Sequence, residues 1–302
     1  MASLDIRPAH ARDVERLGDL AFIAFYAAAL RHAQPPAVST PAESRRYVEH
    51  LTALDPLGGL VAEEDGQPVG FVWVHVRGPI ATIGPLAVEP RAQGRGVGRR
   101  LLERAIALAG PGVPQIRLVQ ESWNAAALGL YLRAGFRVVA PLVELELPPG
   151  AALAVPAAPP GLAVRPATTA DAARVTARDA RAFGAPRPQS VDLYLGRGRA
   201  VVGERGTALV GYALGLGLDA SAHLGSAAAD EPEVLLLLLA ALARDLAVRR
   251  TPVRVLLPAT DRRLVEGLVG LGFRVLRACQ YLGRGGASSP PPNYVLMSGD
   301  LM

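Results

Sequence analysis

The chain repeats itself, and whatever fold it takes it must take twice. Leu4-Asp5-Ile6-Arg7-Pro8-Ala9 returns as Leu162-Ala163-Val164-Arg165-Pro166-Ala167, and Asp13 returns at the same distance as Asp171. Two further echoes keep the order: Gly66 and Gly70-Phe71 with Gly206 and Gly211-Tyr212, then Gly135-Phe136-Arg137-Val138 with Gly272-Phe273-Arg274-Val275. Three matches in order describe a duplicated unit. Between the copies, Pro148-Pro149-Gly150, a run of alanines, Pro156 and Pro159-Pro160-Gly161 fix several φ angles and offer little to pack. This is a semi-rigid linker over 148–161, between domains at 1–147 and 162–302. A length of 302 residues, 50% of them hydrophobic, is enough for two modest cores.

Composition removes several classes of function. The single cysteine, Cys279, excludes an intrachain disulfide framework and is too little for a thiolate metal cluster; it reads as a small packed residue in a reducing compartment. The first residues carry Asp5 and Arg7 where a signal peptide would place its apolar core, so a cytoplasmic protein is expected. The most apolar stretch, 234–243, is far shorter than the roughly 20 residues a bilayer demands and reads as a buried helix, with no membrane partner. The net charge is +5 and every basic side chain is an arginine. The arginines are scattered with few aromatics between them, which argues against a nucleic-acid surface. Only Arg91, Arg95, Arg99 and Arg100 cluster, around a glycine-rich loop.

Periodicity places that loop. In the first copy, Leu4–Pro8 alternates like a strand, 11–30 holds apolar residues at helical spacing, and Thr40-Pro41 starts a second helix towards Leu54. Strands over 60–63 and 69–76 flank the hairpin signal Asp65-Gly66, and a third strand over 81–88 ends at Glu89-Pro90. After the loop come an amphipathic helix over 97–109, a buried strand over 115–119, a helix over 124–133 and two strands within 136–147.

Gln93-x-x-Gly96-x-Gly98 thus lies between a strand and a helix. The first N–H groups of a helix lack partners and sit at the positive end of its dipole, so they suit a pyrophosphate. Glycines at 94, 96 and 98 remove side chains that would keep phosphates away, while Arg95, Arg99 or Arg100 add charge. A dinucleotide fold does not fit, because the preceding strands read as antiparallel and no acidic residue stands where a ribose would need one. A nucleotide P-loop would need a Lys-Ser/Thr ending that is missing. Pro85 lies inside the preceding strand and cannot donate a ladder bond, so the strand is unpaired there.

Leu86-x-Val88-x-Pro90-x-x-Gln93-Gly94-Arg95-Gly96-Val97-Gly98, followed by Asn124 and by Leu130-Tyr131-x-x-x-Gly135-Phe136, resembles the GNAT superfamily of N-acetyltransferases over residues 4–147. The resemblance implies a mixed α+β fold, taken here in tandem, each copy a central, mostly antiparallel twisted sheet flanked by helices. It implies acetyl-coenzyme A as cofactor, with the pantetheine arm in a gap beside the strand that holds Pro85. Leu86, Ala87 and Val88 would meet that arm along the main chain. Gln93, Gly94, Arg95, Gly96, Val97, Gly98 and Arg99 would hold the pyrophosphate. Asn124, which also reads as a helix cap, would bond the arm. Tyr131 would lie near the sulfur and protonate the departing thiolate. The base that deprotonates the amine is open between Glu121, ranked first, His75 and Glu89.

The acceptor expected from this resemblance is a primary amine of a small molecule or peptide, acetylated by direct attack in a ternary complex of a monomer or homodimer. The segment from His32 to Tyr47 and His50 would choose it, without a signature that names it. A non-catalytic acyl-coenzyme A sensor or interaction module is the competing class, and acyl transfer to a hydroxyl or to another protein's amine is a third. In the second copy Asp261 falls opposite Asn124 and Leu268 opposite Tyr131, and Asp230-Glu231-Pro232-Glu233 stands where glycines are expected. Acid in that place opposes phosphate binding, so the second copy is expected to keep the fold without the cofactor. In some two-domain members the C-terminal copy is the working one, and the reversed order sets this chain apart from them.

Overall fold

A computed structural model describes residues 4–217, 220–247 and 251–297. The described residues form two compact units. Unit 1 runs to Arg137 and takes in Leu282–Ala287; unit 2 takes Val138–Tyr281 and residues 288–297.

Unit 1 is built in the order β1 (Leu4–Pro8), α1 (Val14–Arg31), α2 (Pro41–Leu54), β2 (Gly59–Glu64), β3 (Gln67–Arg77), β4 (Ile80–Val88), α3 (Val97–Ala109), β5 (Gln115–Glu121) and α4 (Ala125–Arg133). Successive strands β1 to β4 pair antiparallel, and β5 joins β4 in parallel. Asp65 and Gly66 both take positive φ at the β2–β3 turn, as a tight hairpin needs. Thr40 caps α2 by accepting from the Glu43 N–H at 3.1 Å, with Pro41 in the first position, where its missing N–H costs nothing. The alternation of the strands sends Val72, Val74, Ala81, Ile83, Ile116 and Leu118 to one face, against Leu101 and Leu102 of α3. Leu282, from far along the chain, is fully buried in this same core. Each such leucine contributes about 1.5–3 kcal/mol of apolar burial.

Unit 2 repeats the order with β7 (Ala163–Pro166), α5 (Ala172–Phe183), α6 (Pro188–Arg197), β8 (Arg199–Arg205), β9 (Ala208–Gly217), β10 (Ala222–Ala229), α7 (Pro232–Ala247), β11 (Val253–Pro258), α8 (Arg262–Gly270) and β12 (Arg274–Gly285). The last residues of β12, from Leu282, count with unit 1. Strands β7 to β10 pair antiparallel and β11 joins β10 in parallel, as in unit 1. The stretch 234–243 is the buried helix expected of it, most of α7, with Leu235, Leu238, Leu239 and Leu242 fully covered. Among the described residues no helix is long and apolar enough to cross a membrane.

The sequence echoes mark the same local structure made twice. Arg7 grips Asp13 at 2.7 Å and Glu63 at 2.6 Å; Arg165 grips Asp171 at 2.8 Å and Glu204 at 3.0 Å. In both copies the aspartate also accepts a backbone N–H, from His10 or Thr168, that opens the first helical turn. Hydrogen bonds from these arginines hold both carboxyls below the ordinary carboxylate range.

Two strands were expected within 136–147, and one is found. β6 (Arg137–Leu147) runs unbroken through Pro141 and pairs antiparallel with β11 from Leu147↔Val253 to Leu142↔Pro258. Proline's fixed φ suits extended backbone, and the stretch holds no glycine or asparagine to reverse the chain. The Pro141 carbonyl accepts the Ala259 N–H at 3.0 Å, so the ladder continues where its own N–H is missing. The segment 148–161 has no regular secondary structure up to its last turn and lays Ala151, Leu153 and Val155 against the core of unit 2. Cys279 is buried and takes part in no disulfide.

Candidate active site

In unit 1, β4 and β5 pair at Ile80↔Gln115, Ala81↔Ile116 and Thr82↔Arg117, and there the ladder stops. Pro85 lies just beyond, and on the other side of β4 a register shift separates Ile83↔Val74 from Leu86↔Val72. The two strands therefore form a fork that opens towards the C-terminal end of β4. Glu89 N–H donates to Val69 O on β3 at 2.8 Å. By the alternation of an antiparallel ladder, the backbone groups of Leu86 and Val88 then face away from β3, into the fork, while those of Ala87 face Phe71.

The glycine loop closes the open end. Gln93 Nε2 donates to Val88 O at 2.9 Å, and Arg31 holds Gln93 Oε1 at 3.0 Å, so this glutamine ties the loop to the strand and to α1. Gly94 and Gly96 stand at φ 76° and 87°, a left-handed conformation that side chains rarely adopt, and no atom lies within 4 Å of where a Cβ on either would sit. Gly96 is the residue before α3, and Arg100 N–H is bonded back to Gly96 O at 3.1 Å. The N–H groups of Val97, Gly98 and Arg99 belong to the first turn and lack intrahelical acceptors. A Cβ on Gly98 would rest at 3.6–3.8 Å from Leu130, Val88 and Leu86, so this glycine sits where the fork, the loop and α4 meet. The arginines form the rim: Arg95 reaches Glu64 at 2.9 Å while half exposed, and Arg99 lies 3.9 Å from Glu103 in solvent.

Beyond β5, Asn124 Oδ1 accepts the Ala127 N–H at 3.1 Å and caps α4. Two turns on, the Tyr131 ring is buried edge-on to Phe136, centroids 6.0 Å apart, within the core that also holds Val97 and Leu101. Glu121 ends β5, with its carbonyl accepting from Asn124 N–H at 3.0 Å and from the Gln120 side chain. Glu89 is tied up at the strand end, 2.7 Å from Arg91 and 3.8 Å from Arg16.

On the face opposite α3, His75, Thr82 and Arg117 form one row across β3, β4 and β5, at the last register before the fork opens. His75 Nδ1 is hydrogen-bonded to Asp55 Oδ2, and Arg77 reaches both oxygens of the same carboxylate at 2.8 and 2.7 Å. Burial opposes ionisation of Asp55, but hydrogen bonds from His75 and Arg77 outweigh it and hold the carboxyl below its ordinary range. An ionised carboxylate only accepts, so Nδ1 carries the hydrogen of this bond. The other ring nitrogen, Nε2, is buried without a partner, as is Thr82 Oγ1 beside it. Asp55 and Arg77 escaped sequence reading: Arg77 continues the alternation of His75, but Asp55 ends α2, and no pattern announces that α2 delivers it to β3.

Residues 25–136 match the Acetyltransferase (GNAT) family. Curated relatives named mycothiol acetyltransferase match shorter stretches. That of Streptomyces avermitilis is 39% identical over 27% of this chain and 28% of its own length, and that of Beutenbergia cavernae 39% identical over 35% and 37%. The match thus spans about a third of the relatives. Solved structures are similar over nearly the whole chain at low identity. A GCN5-related N-acetyltransferase from Sphaerobacter thermophilus gives a TM-score of 0.68 at 17% identity, covering 95% of this chain and 98% of that one. A tandem GNAT protein from the clavulanic acid biosynthesis pathway gives 0.65 at 20% identity, covering 95% and 100%. The fold of both units, and the family match across the fork, the loop and α4, agree: the chain carries in unit 1 an acetyltransferase domain of the GNAT family.

Proposed function

We propose that unit 1 is an acetyl-coenzyme A-dependent N-acetyltransferase whose acceptor is a primary amine on a small molecule or peptide. The observation that carries this reading is the fork, whose strands part at Thr82 and Arg117 and whose open end meets the glycine loop and the start of α3. The residues present fit the cofactor. Backbone groups of Leu86 and Val88 are turned to an extended, amide-bearing arm as they would be to an added strand. The space above Gly94 and Gly96 lets a pyrophosphate reach the N–H groups of Val97, Gly98 and Arg99, with Arg95 and Arg99 at the rim. The capping of α4 uses Oδ1 of Asn124 and leaves its Nδ2 for the arm. Bound there, the cofactor supplies an acyl thioester open to attack by an amine.

The chain's own residues then orient the reactants and move protons. A β4 N–H at the fork polarises the thioester carbonyl, the oxyanion-hole device. Tyr131 would supply the proton that the leaving thiolate takes up, and a basic side chain would take one from the amine. Glu121, which ends β5, and His75, in the last row before the fork opens, are the two candidates for that base. The Asp55 backing and the unpartnered Nε2 favour His75. The relatives named mycothiol acetyltransferase support acetyl transfer by similar chains.

Calorimetric titration with acetyl-coenzyme A tests the reading. One site per chain is expected, lost in Gly96→Asp, where a carboxylate and an unfavourable φ both meet the pyrophosphate position. No binding by the parent protein overturns the proposal, and two sites would mean that unit 2 also takes the cofactor.

A further inference from the structure

Unit 2 makes the same fork and fills it with peptide. β10 and β11 pair at Ala222↔Val253, His223↔Arg254 and Leu224↔Val255 and then part. Into the opening comes a short strand, β13 (Tyr294–Val295), antiparallel to β10 at Ala228↔Tyr294 and Ala227↔Val295. The next residue crosses to the other side of the fork, Leu296 N–H donating to Leu256 O of β11 at 3.1 Å. At the other end, Asp261 holds the segment with Oδ2, accepting the Asn293 N–H at 2.9 Å, while its Oδ1 caps α8 through Leu264 N–H at 3.3 Å. Asp261 is the counterpart of Asn124, which caps α4 in the same way. The peptide thus meets both strands of the fork and the helix cap, the groups that in unit 1 are read as holding an amide-bearing arm.

The groove recognises side chains as well. Tyr294, Val295, Leu296 and Met297 are all buried. Arg187, itself fully buried and paired with Asp179 at 2.7 Å, donates to the Tyr294 hydroxyl at 2.9 Å and lies 4.0 Å from the Met297 sulfur. Tyr212 and Ser226 complete the network on Asp179, each at 2.5 Å. Gly225 is required by contact: a Cβ there would stand 1.9 Å from Leu296 O.

We propose that the fork of unit 2 is a peptide-binding groove and that residues 293–297 are its ligand, bound in cis. The ligand class is an extended segment with a tyrosine followed by three apolar residues, recognised by β-augmentation on two sides and by a buried arginine. The fork is thereby closed to a pantetheine arm. This inference stands on unit 2 alone and does not depend on acetyl transfer by unit 1.

The test uses the full chain with a protease site inserted between Ser289 and Pro290, cut after folding. The C-terminal peptide is expected to co-elute with the nicked protein in gel filtration. A fluorescent synthetic peptide beginning at Pro290 should exchange into the site, and its Leu296→Pro version, which lacks the N–H that meets Leu256 O, should bind about tenfold or more weakly. Release of the peptide on cleavage overturns the proposal, whatever happens to the melting temperature. So does equal binding of the Leu296→Pro peptide, which would mean that the strand bonds do not hold it.

Discussion

Asp55 holds an imidazole and a guanidinium on one carboxylate, and the consequence falls on His75. With Nδ1 fixed by an acceptor, the ring is oriented, and its other nitrogen, Nε2, is buried without a hydrogen-bond partner. His75→Gln is expected to lower kcat by about 10²-fold with the KM for acetyl-coenzyme A little changed, whereas Tyr131→Phe should cost about tenfold, because thiolate is already a fair leaving group. Steady-state kinetics on an amine found by screening would check both, and a larger loss in Glu121→Gln than in His75→Gln would return the base to β5. At this scale the sequence showed the residue types and not their partners. His75 was one of three candidate bases, while the Asp55 that orients it comes from a helix end with no signal of its own.

At the scale of elements, the glycine loop, the α2 and α4 caps and the β2–β3 hairpin were legible because each follows from local chemistry: a φ angle, a cap, a turn. What was not legible came from pairing. Pro85 announced an interrupted strand, but the residue at which β5 parts from β4 depends on a long-range register. Two strands are expected within 136–147, whereas β6 is continuous because it pairs along its length with β11, over a hundred residues away in the chain. The β10 strand carries a pH response of its own. Burial, with the charges of Arg254 and Arg277 opposite, pushes His223 down to about 3; Glu146 pairs with Arg254 and Glu144 with Arg277 across the same strands. In the unfolded chain this imidazole takes its proton near its ordinary pKa of about 6.5. Between those values the unfolded state binds more protons, so stability falls as pH is lowered from about 6.5 towards 3. Denaturant melts of His223→Gln should show a shallower loss over that window than the parent protein.

For the whole molecule, duplication was legible and the division of the chain between its units was not. The repeats reappear as matching ion clusters around Arg7 and Arg165, since a charge network on three residues leaves a spacing that survives in sequence. The membership of 282–287 in unit 1 leaves no such trace. It is decided by Leu282 in the first core and by Gly285, where a Cβ would stand 2.1 Å from Pro114 O. A fragment ending at residue 147, the boundary the linker advertises, lacks that piece, and it should melt without a cooperative transition by circular dichroism, unlike the intact chain.

The same arrangement sets an order of events during synthesis. Domains ordinarily fold in the order in which they leave the ribosome. Here the half that emerges first waits for a piece that emerges after nearly all of the other half. Until translation passes residue 287, the first core lacks the side chain of Leu282. The core beneath the proposed cofactor fork is therefore completed only after the bulk of the second unit has been made.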